Sequence, residues 1–214
     1  MAYSLDRIQE AIDTLRNSIE KKSNFTESVE VLLGLREIDL KDPSKRFNIS
    51  IILPHPIREK TKLGVFAEGE LAVSAKKLGL KVISKEEVET LVKDPKTAKN
   101  LASEYDFFVA LAPLMPLVGR YWGKFLGPRG KMPKPIAPST DLEKLLAQYN
   151  RTITLRLRTN PSINAKIGTI NNSNKELAEN TNSIISTLVN KLERGVQQIK
   201  KVSIKTTMGK AISI

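Results

Sequence analysis

The residues best suited to chemistry lie in one segment rich in glycine, proline and positive charge, residues 119–138 (GRYWGKFLGPRGKMPKPIAP). It holds four glycines, four prolines and five cations without one acidic residue. Glycine lets backbone N–H groups approach a phosphate, and proline stiffens a loop. The segment therefore predicts an exposed loop that either contacts phosphates or is a solvated basic loop. It is not a Walker loop, because Met132 stands where serine or threonine is required.

A second candidate surface is the C-terminal run 200–211 (KKVSIKTTMGKA). Two alternating sets of side chains predict a strand, with Val202, Ile204 and Thr206 on one face and Ser203, Lys205 and Thr207 on the other. Hydroxyl and ammonium groups bind phosphates and ribose 2′-hydroxyls, and Gly209 permits a close approach. The alternative is an edge strand whose lysines protect it from aggregation.

One aromatic residue, Phe25, lies in a polar turn between Asn24 and Thr26. An aromatic ring in such a turn can stack on a nucleotide, or it can plug the hydrophobic core of its own sheet. Glu27 follows directly and could orient a cation or accept a hydrogen bond from a ribose hydroxyl.

The residues for metal binding and catalysis are scarce. The chain has one histidine, His55, and no cysteine, so it cannot form the usual transition-metal sets, disulfides or thiolate nucleophiles. We therefore expect no catalytic residue, no metal and no cofactor. Trp122 is interpreted as an anchor for its helix.

The net charge of +12 is concentrated in the second half of the chain. Residues 1–106 carry 18 Lys and Arg against 18 Asp and Glu, whereas residues 107–214 carry 17 against 5. Such a charge attracts polyanions, of which nucleic acid is the commonest in cells. Membrane binding is disfavoured because the first helix mixes both signs, and no apolar window approaches the roughly 20 residues of a transmembrane helix. The N-terminus lacks a secretion-signal pattern, so we expect a cytoplasmic protein.

The order of predicted elements changes twice along the chain. Apolar spacing predicts a helix over 4–20, and composition predicts strands at 28–35, 47–53, 151–158, 163–170 and 202–207. Between them, from about Leu63 to Tyr149, short apolar runs alternate with helices, which is typical of a parallel sheet. Three capping boxes are predicted, at Ser84 with Glu87, Thr140 with Glu143, and Ser173 with Glu176.

This order predicts two domains. Both chain ends (1–65 and 151–214) are expected to form one discontinuous α+β domain, with a mostly antiparallel sheet and helices on one face. Residues 66–150 are expected to form an inserted three-layer α/β domain with a parallel sheet. The two connections between them would act as a hinge.

Three motifs in order along the chain give a resemblance to a known family. They are Asn24-Phe-Thr-Glu-Ser-Val-Glu30, Phe125-Leu-Gly-Pro-Arg-Gly-Lys-Met-Pro133 and Thr206-Thr-Met-Gly209. On these motifs the chain resembles the large-subunit ribosomal protein one family, which forms the ribosome's mobile side stalk, and it is most similar to archaeal members.

The resemblance implies an RNA-binding protein without enzymatic activity. Its implied partners are large-subunit rRNA at the stalk junction, exit-site tRNA, whose release it assists, and its own mRNA, which it represses through a mimic of the rRNA site. The implied RNA-binding residues are Phe25, Thr26, Glu27, Arg158, Asn164, Lys166, Gly168, Lys205, Thr206, Thr207, Met208 and Gly209. Secondary contacts are expected from Lys124, Arg129, Lys131 and Lys134.

The resemblance also implies a monomer when the protein is free of the ribosome, with no membrane and no small-molecule substrate. The rival hypothesis is a nucleotide-binding enzyme that uses the ends of its parallel strands. The sequence argues against it, because no G-x-G-x-x-G motif follows a candidate strand.

Overall fold

The computed structural model describes residues 4–18, 24–58 and 60–214. The helices are α1 (Leu5–Asn17), α2 (Gly69–Lys77), α3 (Lys85–Lys93), α4 (Pro95–Glu104), α5 (Met115–Leu126), α6 (Leu142–Asn150) and α7 (Asn174–Lys191). The strands are β1 (Ser28–Leu35), β2 (Phe47–Ile52), β3 (Leu63–Phe66), β4 (Lys81–Ile83), β5 (Phe107–Leu111), β6 (Lys134–Ile136), β7 (Thr152–Leu157), β8 (Ser162–Thr169), β9 (Ile199–Thr206) and β10 (Ile212–Ser213).

The chain divides into two compact units, which we call the terminal unit (Met1–Glu59 with Arg151–Ile214) and the inserted unit (Lys60–Asn150). The sequence placed the first boundary after residue 65. Strand β3 lies entirely within the inserted unit's sheet, because it pairs with β4 and β5, so residues 60–65 belong to that unit.

The terminal unit is built on a four-stranded antiparallel sheet in the order β10-β9-β1-β8. Alternate residues of the central strand β1 are buried, which follows from the period-2 spacing of its apolar side chains. Helices α1 and α7 pack against each other and bury their apolar stripes in the same core as those residues. The other face of β1, which carries Glu30 and Leu32, is only half-buried. We call it the open face.

Strands β2 and β7 form a separate antiparallel pair, in which Phe47 is opposite Leu157. The sequence analysis had placed both in one sheet with β1, β8 and β9, and that detail is wrong. Buried side chains of the pair, among them Ile51, Leu155 and Leu157, still belong to the terminal unit's core. Burial of one face therefore does not require a continuous hydrogen-bond ladder.

The inserted unit contains a parallel sheet in the order β4-β3-β5-β6. The chain runs from β3 to β4 and then back past β3 to β5. Because crossovers between parallel strands are right-handed as a rule, these two connections place their helices on opposite faces of the sheet, which gives three layers. Trp122 of α5 is fully buried, and its indole N–H donates to the Val88 carbonyl at 3.1 Å. The predicted role of Trp122 as a helix anchor is confirmed.

Two of the three predicted capping boxes are present in the structure. The capping boxes of Ser84 and Ser173 are confirmed. The one at Thr140 is wrong, because the Asp141 carboxylate accepts from the Glu143 N–H at 3.0 Å instead. Residues 119–126 of the glycine-rich segment are helical, so its loop covers only the part after α5. The last residues of the first predicted helix, 19–20, lie outside the described residues.

Candidate nucleic-acid interface

The two ends of the chain meet where β1 begins and β9 ends. Val29 lies opposite Thr206, and one step further on the backbones of Ser28 and Thr207 are joined. The Thr207 N–H donates to the Ser28 carbonyl at 3.1 Å, and the Ser28 N–H donates to the Thr207 hydroxyl at 3.2 Å. Residues nearly 180 positions apart in sequence therefore share one edge of the sheet.

A buried carboxylate fastens the turn that follows β9. Glu27 is 5% exposed, and its Oε2 accepts from the Met208 N–H at 3.1 Å. The Thr206 hydroxyl accepts from the Gly209 N–H at 3.0 Å. A Cβ on Gly209 would lie 2.4 Å from that hydroxyl oxygen, so any other residue would force the hydroxyl to move. We call residues 24–28 and 206–209 together the chain-end corner.

The chain-end corner presents apolar and hydroxyl groups to solvent. Phe25 is 55% exposed, and Met208, at 75%, has the largest exposed fraction among the exposed large apolar side chains of the described residues. Thr26 and Thr207 are exposed beside them. An aromatic ring, a thioether and hydroxyls on a hydrogen-bonded frame can stack on bases and contact sugars.

Gly168, at the end of β8, has a packing role. A Cβ at this position would lie 2.6 Å from the Leu177 Cδ2 of α7 and 2.9 Å from the Asn172 Oδ1. That same Asn172 oxygen accepts from the N–H of Thr169 at 2.9 Å. The residue is buried and allows β8 and α7 to pack closely, which positions the corner.

Three further residues of the predicted site lie on the open face. Lys166 and Lys205 are on either side of Glu30, across both of its neighbouring strands. Asn164 lies one two-residue step further from the corner, opposite Leu32, which is roughly 7 Å along the sheet. The open face thus continues the corner with two cations around one carboxylate.

Arg158 lies at the opposite end of the terminal unit. Arg158 directly follows β7 and comes shortly before Ser162, the first residue of β8. The chain-end corner adjoins Thr169, the last residue of β8. Seven residue steps of about 3.3 Å separate those ends by roughly 23 Å. The structure therefore does not bring Arg158 together with the other predicted residues.

The four secondary candidates belong to the inserted unit, and two of them have structural tasks. The Lys131 ammonium donates to the Ala102 carbonyl at 3.0 Å and to the Tyr105 carbonyl at 2.6 Å, at the end of α4. Arg129 donates to the Phe125 carbonyl at 3.1 Å. These bonds hold the loop after α5 against the inserted unit, so these two cations of the glycine-rich segment stabilise the unit's structure.

The other two secondary candidates are exposed. The Lys124 ammonium lies 5.0 Å from the ring centre of Phe125, and the Lys134 ammonium lies 5.8 Å from that of Tyr149. Both leave the ammonium accessible to solvent.

His55 is a structural residue. Its Nε2 lies 2.6 Å from the Glu179 Oε2, and its backbone N–H donates to the Asn180 side-chain carbonyl at 3.0 Å. Asn180 in turn donates to the Ile167 carbonyl at 2.8 Å. This buried amide joins α7, β8 and the segment after β2, and no sequence signal indicated it.

Across residues 4–18, 24–58 and 60–214, no group of three or more His, Cys, Asp or Glu side chains could hold a metal ion. None of the helices in that part of the chain has the length and apolar content of a transmembrane span.

The comparisons with known proteins agree with this architecture. The model of the ribosomal protein L1p/L10e family matches residues 15–210. The large ribosomal subunit protein uL1 of Thermococcus kodakarensis is 44% identical over 215 aligned positions, covering 100% of this chain and 99% of the relative. The uL1 proteins of Pyrococcus horikoshii and Methanobrevibacter smithii are 43% and 41% identical and cover 98% and 99% of their own length.

Fold, matched range and relatives together define the class: the chain belongs to the ribosomal protein L1p/L10e family. It is a large-subunit ribosomal protein of the archaeal type, and it is not an enzyme. The resemblance stated from the three motifs is confirmed, and the nucleotide-binding enzyme is set aside.

Proposed function

We propose that the chain-end corner binds large-subunit rRNA directly. The observation that carries this proposal is the hydrogen bond from the Met208 N–H to the buried Glu27 carboxylate. It ties two distant motifs into one surface on which Phe25 and Met208 are exposed. Large apolar side chains are held in solvent there by a rigid frame, which favours a binding surface over a core.

The proposed mechanism is binding to a preformed platform. Phe25 stacks on a base, Thr26 and Thr207 bond to sugars or phosphates, and the lysines of the open face supply affinity. Glu27 and Gly168 act from beneath as positioning residues, because both are buried. No bond is made or broken in the RNA.

Two further roles are proposed on the basis of the resemblance. The protein, a monomer when free of the cytoplasmic ribosome, assists release of exit-site tRNA and represses its own mRNA by binding a mimic of the rRNA site. If the mRNA mimics the rRNA, both must compete for the chain-end corner. Binding of the two RNAs should then be mutually exclusive and equally sensitive to substitutions there.

The test is filter binding of purified variants to a fragment of the organism's own large-subunit rRNA. Phe25→Ala should weaken binding by about 5- to 150-fold, because a base–aromatic stack contributes about 1–3 kcal/mol. Met208→Ala should weaken it less. Thermal unfolding of both should match the wild type, since exposed side chains add little to stability.

Val73→Ala is the matched control, because Val73 is a 55% exposed apolar residue of α2 in the inserted unit and lies outside the predicted RNA contacts. It should bind rRNA like the wild type. Full rRNA affinity in Phe25→Ala and Met208→Ala would refute the site assignment. Loss of rRNA binding but not of mRNA binding would refute the mimic.

The proposed division of labour is tested by deleting residues 60–150 and rejoining the terminal unit. The shortened protein should retain rRNA affinity within about tenfold, since most contacts are assigned to the terminal unit. Circular dichroism establishes whether it is folded. A folded variant that no longer binds rRNA would contradict the assignment.

A further inference from the structure

Strand β8 changes register against β1 just before it reaches the chain-end corner. Glu30 of β1 lies opposite Lys166 of β8. The preceding residue, Val29, lies opposite Gly168, so one extra residue of β8, Ile167, lies between the two pairs. An extra residue on one strand of an antiparallel pair is a β-bulge, which bends that strand and re-aims the residues that follow it. The bulge therefore sets the direction in which the last residues of β8 approach the corner.

Beyond the bulge, the backbone of β8 is bonded directly to the chain-end corner. Thr169 lies opposite Ser28, and the Ile170 N–H donates to the Glu27 carbonyl at 3.0 Å. The carboxylate of the same glutamate accepts from the Met208 N–H. Where β8 ends therefore decides where the Glu27 backbone lies, and with it whether the carboxylate reaches Met208.

One side chain, that of Asn172, holds the end of β8. Its Oδ1 accepts from the Thr169 N–H at 2.9 Å and from the Thr169 hydroxyl at 3.0 Å. The Asn172 backbone N–H donates to the Thr169 carbonyl at 3.1 Å. Thr169 is thus bonded to Asn172 through its N–H, its hydroxyl and its carbonyl, which fixes the residue that precedes Ile170.

Asn172 is itself held from two sides. Its Nδ2 donates to the Glu176 Oε2 at 3.2 Å, and that oxygen also accepts from the Ser173 N–H at 3.0 Å in the capping box of α7. Its backbone carbonyl accepts from the guanidinium of Arg16, in the last turn of α1. A half-buried asparagine fixed by two helices needs little further ordering when a ligand binds, as a preformed surface requires.

The start of the bulge is fastened by a second asparagine. The Ile167 carbonyl accepts from the side-chain amide of Asn180 at 2.8 Å, and Asn180 is buried. Asn180 also bonds His55, so it serves the core of the terminal unit. Asn172 differs from it, because its partner Thr169 directly precedes the residue that donates to Glu27.

We propose that Asn172 is a positioning residue for rRNA binding, whose amide fixes the bulged end of β8 so that the Glu27 carboxylate holds Met208 in its RNA-binding arrangement. Asn172 acts through Thr169 and Glu27 and is assigned no contact with RNA. The proposal rests on the proposed function in placing the rRNA at the chain-end corner. A purely local role would stabilise the turn between β8 and α7 and leave Met208 unchanged.

The first test measures the corner without RNA, by amide hydrogen exchange of the full-length protein followed by NMR. Asn172→Ala should raise the exchange rate of the Met208 N–H at least tenfold, because the acceptor Glu27 is no longer fixed. The Leu188 N–H, in the middle of α7, should exchange as in the wild type. Circular dichroism establishes that the variant is folded.

The second test is filter binding to the organism's own large-subunit rRNA fragment. Asn172→Ala should bind it at least tenfold more weakly than the wild type. The slope of log affinity against log salt should stay unchanged, because no phosphate contact is removed. Affinity for an unrelated RNA duplex of the same length should stay within twofold, since non-specific binding depends on charge and not on the arrangement of the corner.

A rescue variant and a matched control separate positioning from general damage. The double variant Asn172→Asp, Glu176→Gln keeps an acceptor for Thr169 and exchanges donor and acceptor between the two side chains, so it should restore rRNA affinity to within threefold. Asn174→Ala is the control, because the Asn174 amide donates to Asp13 of α1 and not to β8. It should bind rRNA within twofold of the wild type. Asn172→Ser, with a shorter acceptor, should show a smaller loss than Asn172→Ala and replaces it if that variant does not fold.

Three results would overturn the positioning role. The first is wild-type rRNA affinity in folded Asn172→Ala. The second is weakened rRNA binding with unchanged exchange of the Met208 N–H, which would mean that Asn172 acts by another route. The third is a smaller salt slope in Asn172→Ala, which would indicate a lost phosphate contact. Failure of the proposed function would instead appear as normal rRNA binding by Phe25→Ala and Met208→Ala.

Discussion

The buried carboxylate of Glu27 offers the sharpest test of how the chain-end corner works. Glu27→Ala removes the acceptor of the Met208 N–H and frees the turn after β9. A hydrogen bond to a charged group contributes about 1.5–3 kcal/mol, so the free energy of unfolding should fall by that amount. Binding would then have to order Met208 and Gly209 again, at about 1–2 kcal/mol per residue. The rRNA affinity should therefore fall about 30- to 1,000-fold.

Glu27→Gln is the matched variant, because its amide oxygen keeps the acceptor and only the charge is lost. The free energy of unfolding should fall by roughly 1 kcal/mol, which is the difference between a hydrogen bond to a charged acceptor and one to a neutral acceptor. The rRNA affinity in filter binding should stay within about fivefold of the wild type. If Glu27→Gln bound as weakly as Glu27→Ala, the carboxylate would act through its charge and the tethering role would be refuted. Full affinity in Glu27→Ala would refute it equally.

Other residues give independent expectations. Lys131→Met should lower the free energy of unfolding by about 1–3 kcal/mol, because it leaves carbonyls at the end of α4 without a donor, yet rRNA affinity should not change; a weakened affinity at unchanged stability would contradict this. Asn180→Ala should cost about 3 kcal/mol in urea unfolding, since it strips His55 and a β8 carbonyl of their partner, and an unchanged midpoint would show that the amide is dispensable. Asp94 has a pKa lowered mainly by the hydrogen bond from the Thr97 hydroxyl, so its stabilisation is complete above the unfolded pKa of about 3.9 and is lost as pH falls through the lower folded pKa. Asp94→Asn should therefore flatten the decline of thermal stability with acid, and an identical acid decline would count against that linkage.

Much of the fold follows from local sequence signals. Strand β1 was predicted with the bounds that it has, because the run is rich in valine and leucine. The caps of Ser84 and Ser173 follow from short-range hydrogen bonding that needs no tertiary context. The alternation of short apolar runs with helices also distinguished the inserted unit from the chain ends, because parallel strands need helical crossovers.

Other parts depended on contacts that the sequence does not display. The glycines of residues 119–126 suggested a loop, but the burial of Val118, Trp122 and Phe125 on one helical face outweighs the cost of glycine. Likewise, Thr140 matched the spacing of a capping box, and the neighbouring Asp141 took its place. In the first case, packing of the helix outweighed the low helix propensity of glycine. In the second, the Asp141 carboxylate accepted the hydrogen bond predicted for Thr140.

The sequence predicted which residues belong to the candidate site better than it predicted where they lie relative to one another. The motifs gave Phe25 and Met208, and the register of β1 with β9 brings their turns to one corner. Arg158 was grouped with them on the resemblance, but it lies beside the start of β8, whereas the chain-end corner adjoins the end of that strand. Lys131 was taken for a phosphate ligand because its three backbone acceptors come from α4 and the residues after it, far back in sequence.

The measurement that tests the central claim most directly is photo-crosslinking from the chain-end corner in assembled large ribosomal subunits. A benzoylphenylalanine residue replaces Met208 in one protein and Val73, an exposed residue of α2, in a control protein. Irradiation should crosslink position 208 to large-subunit rRNA and leave position 73 without that product at comparable incorporation. Efficient incorporation with no rRNA crosslink from position 208 would contradict the claim that both chain ends form the RNA platform.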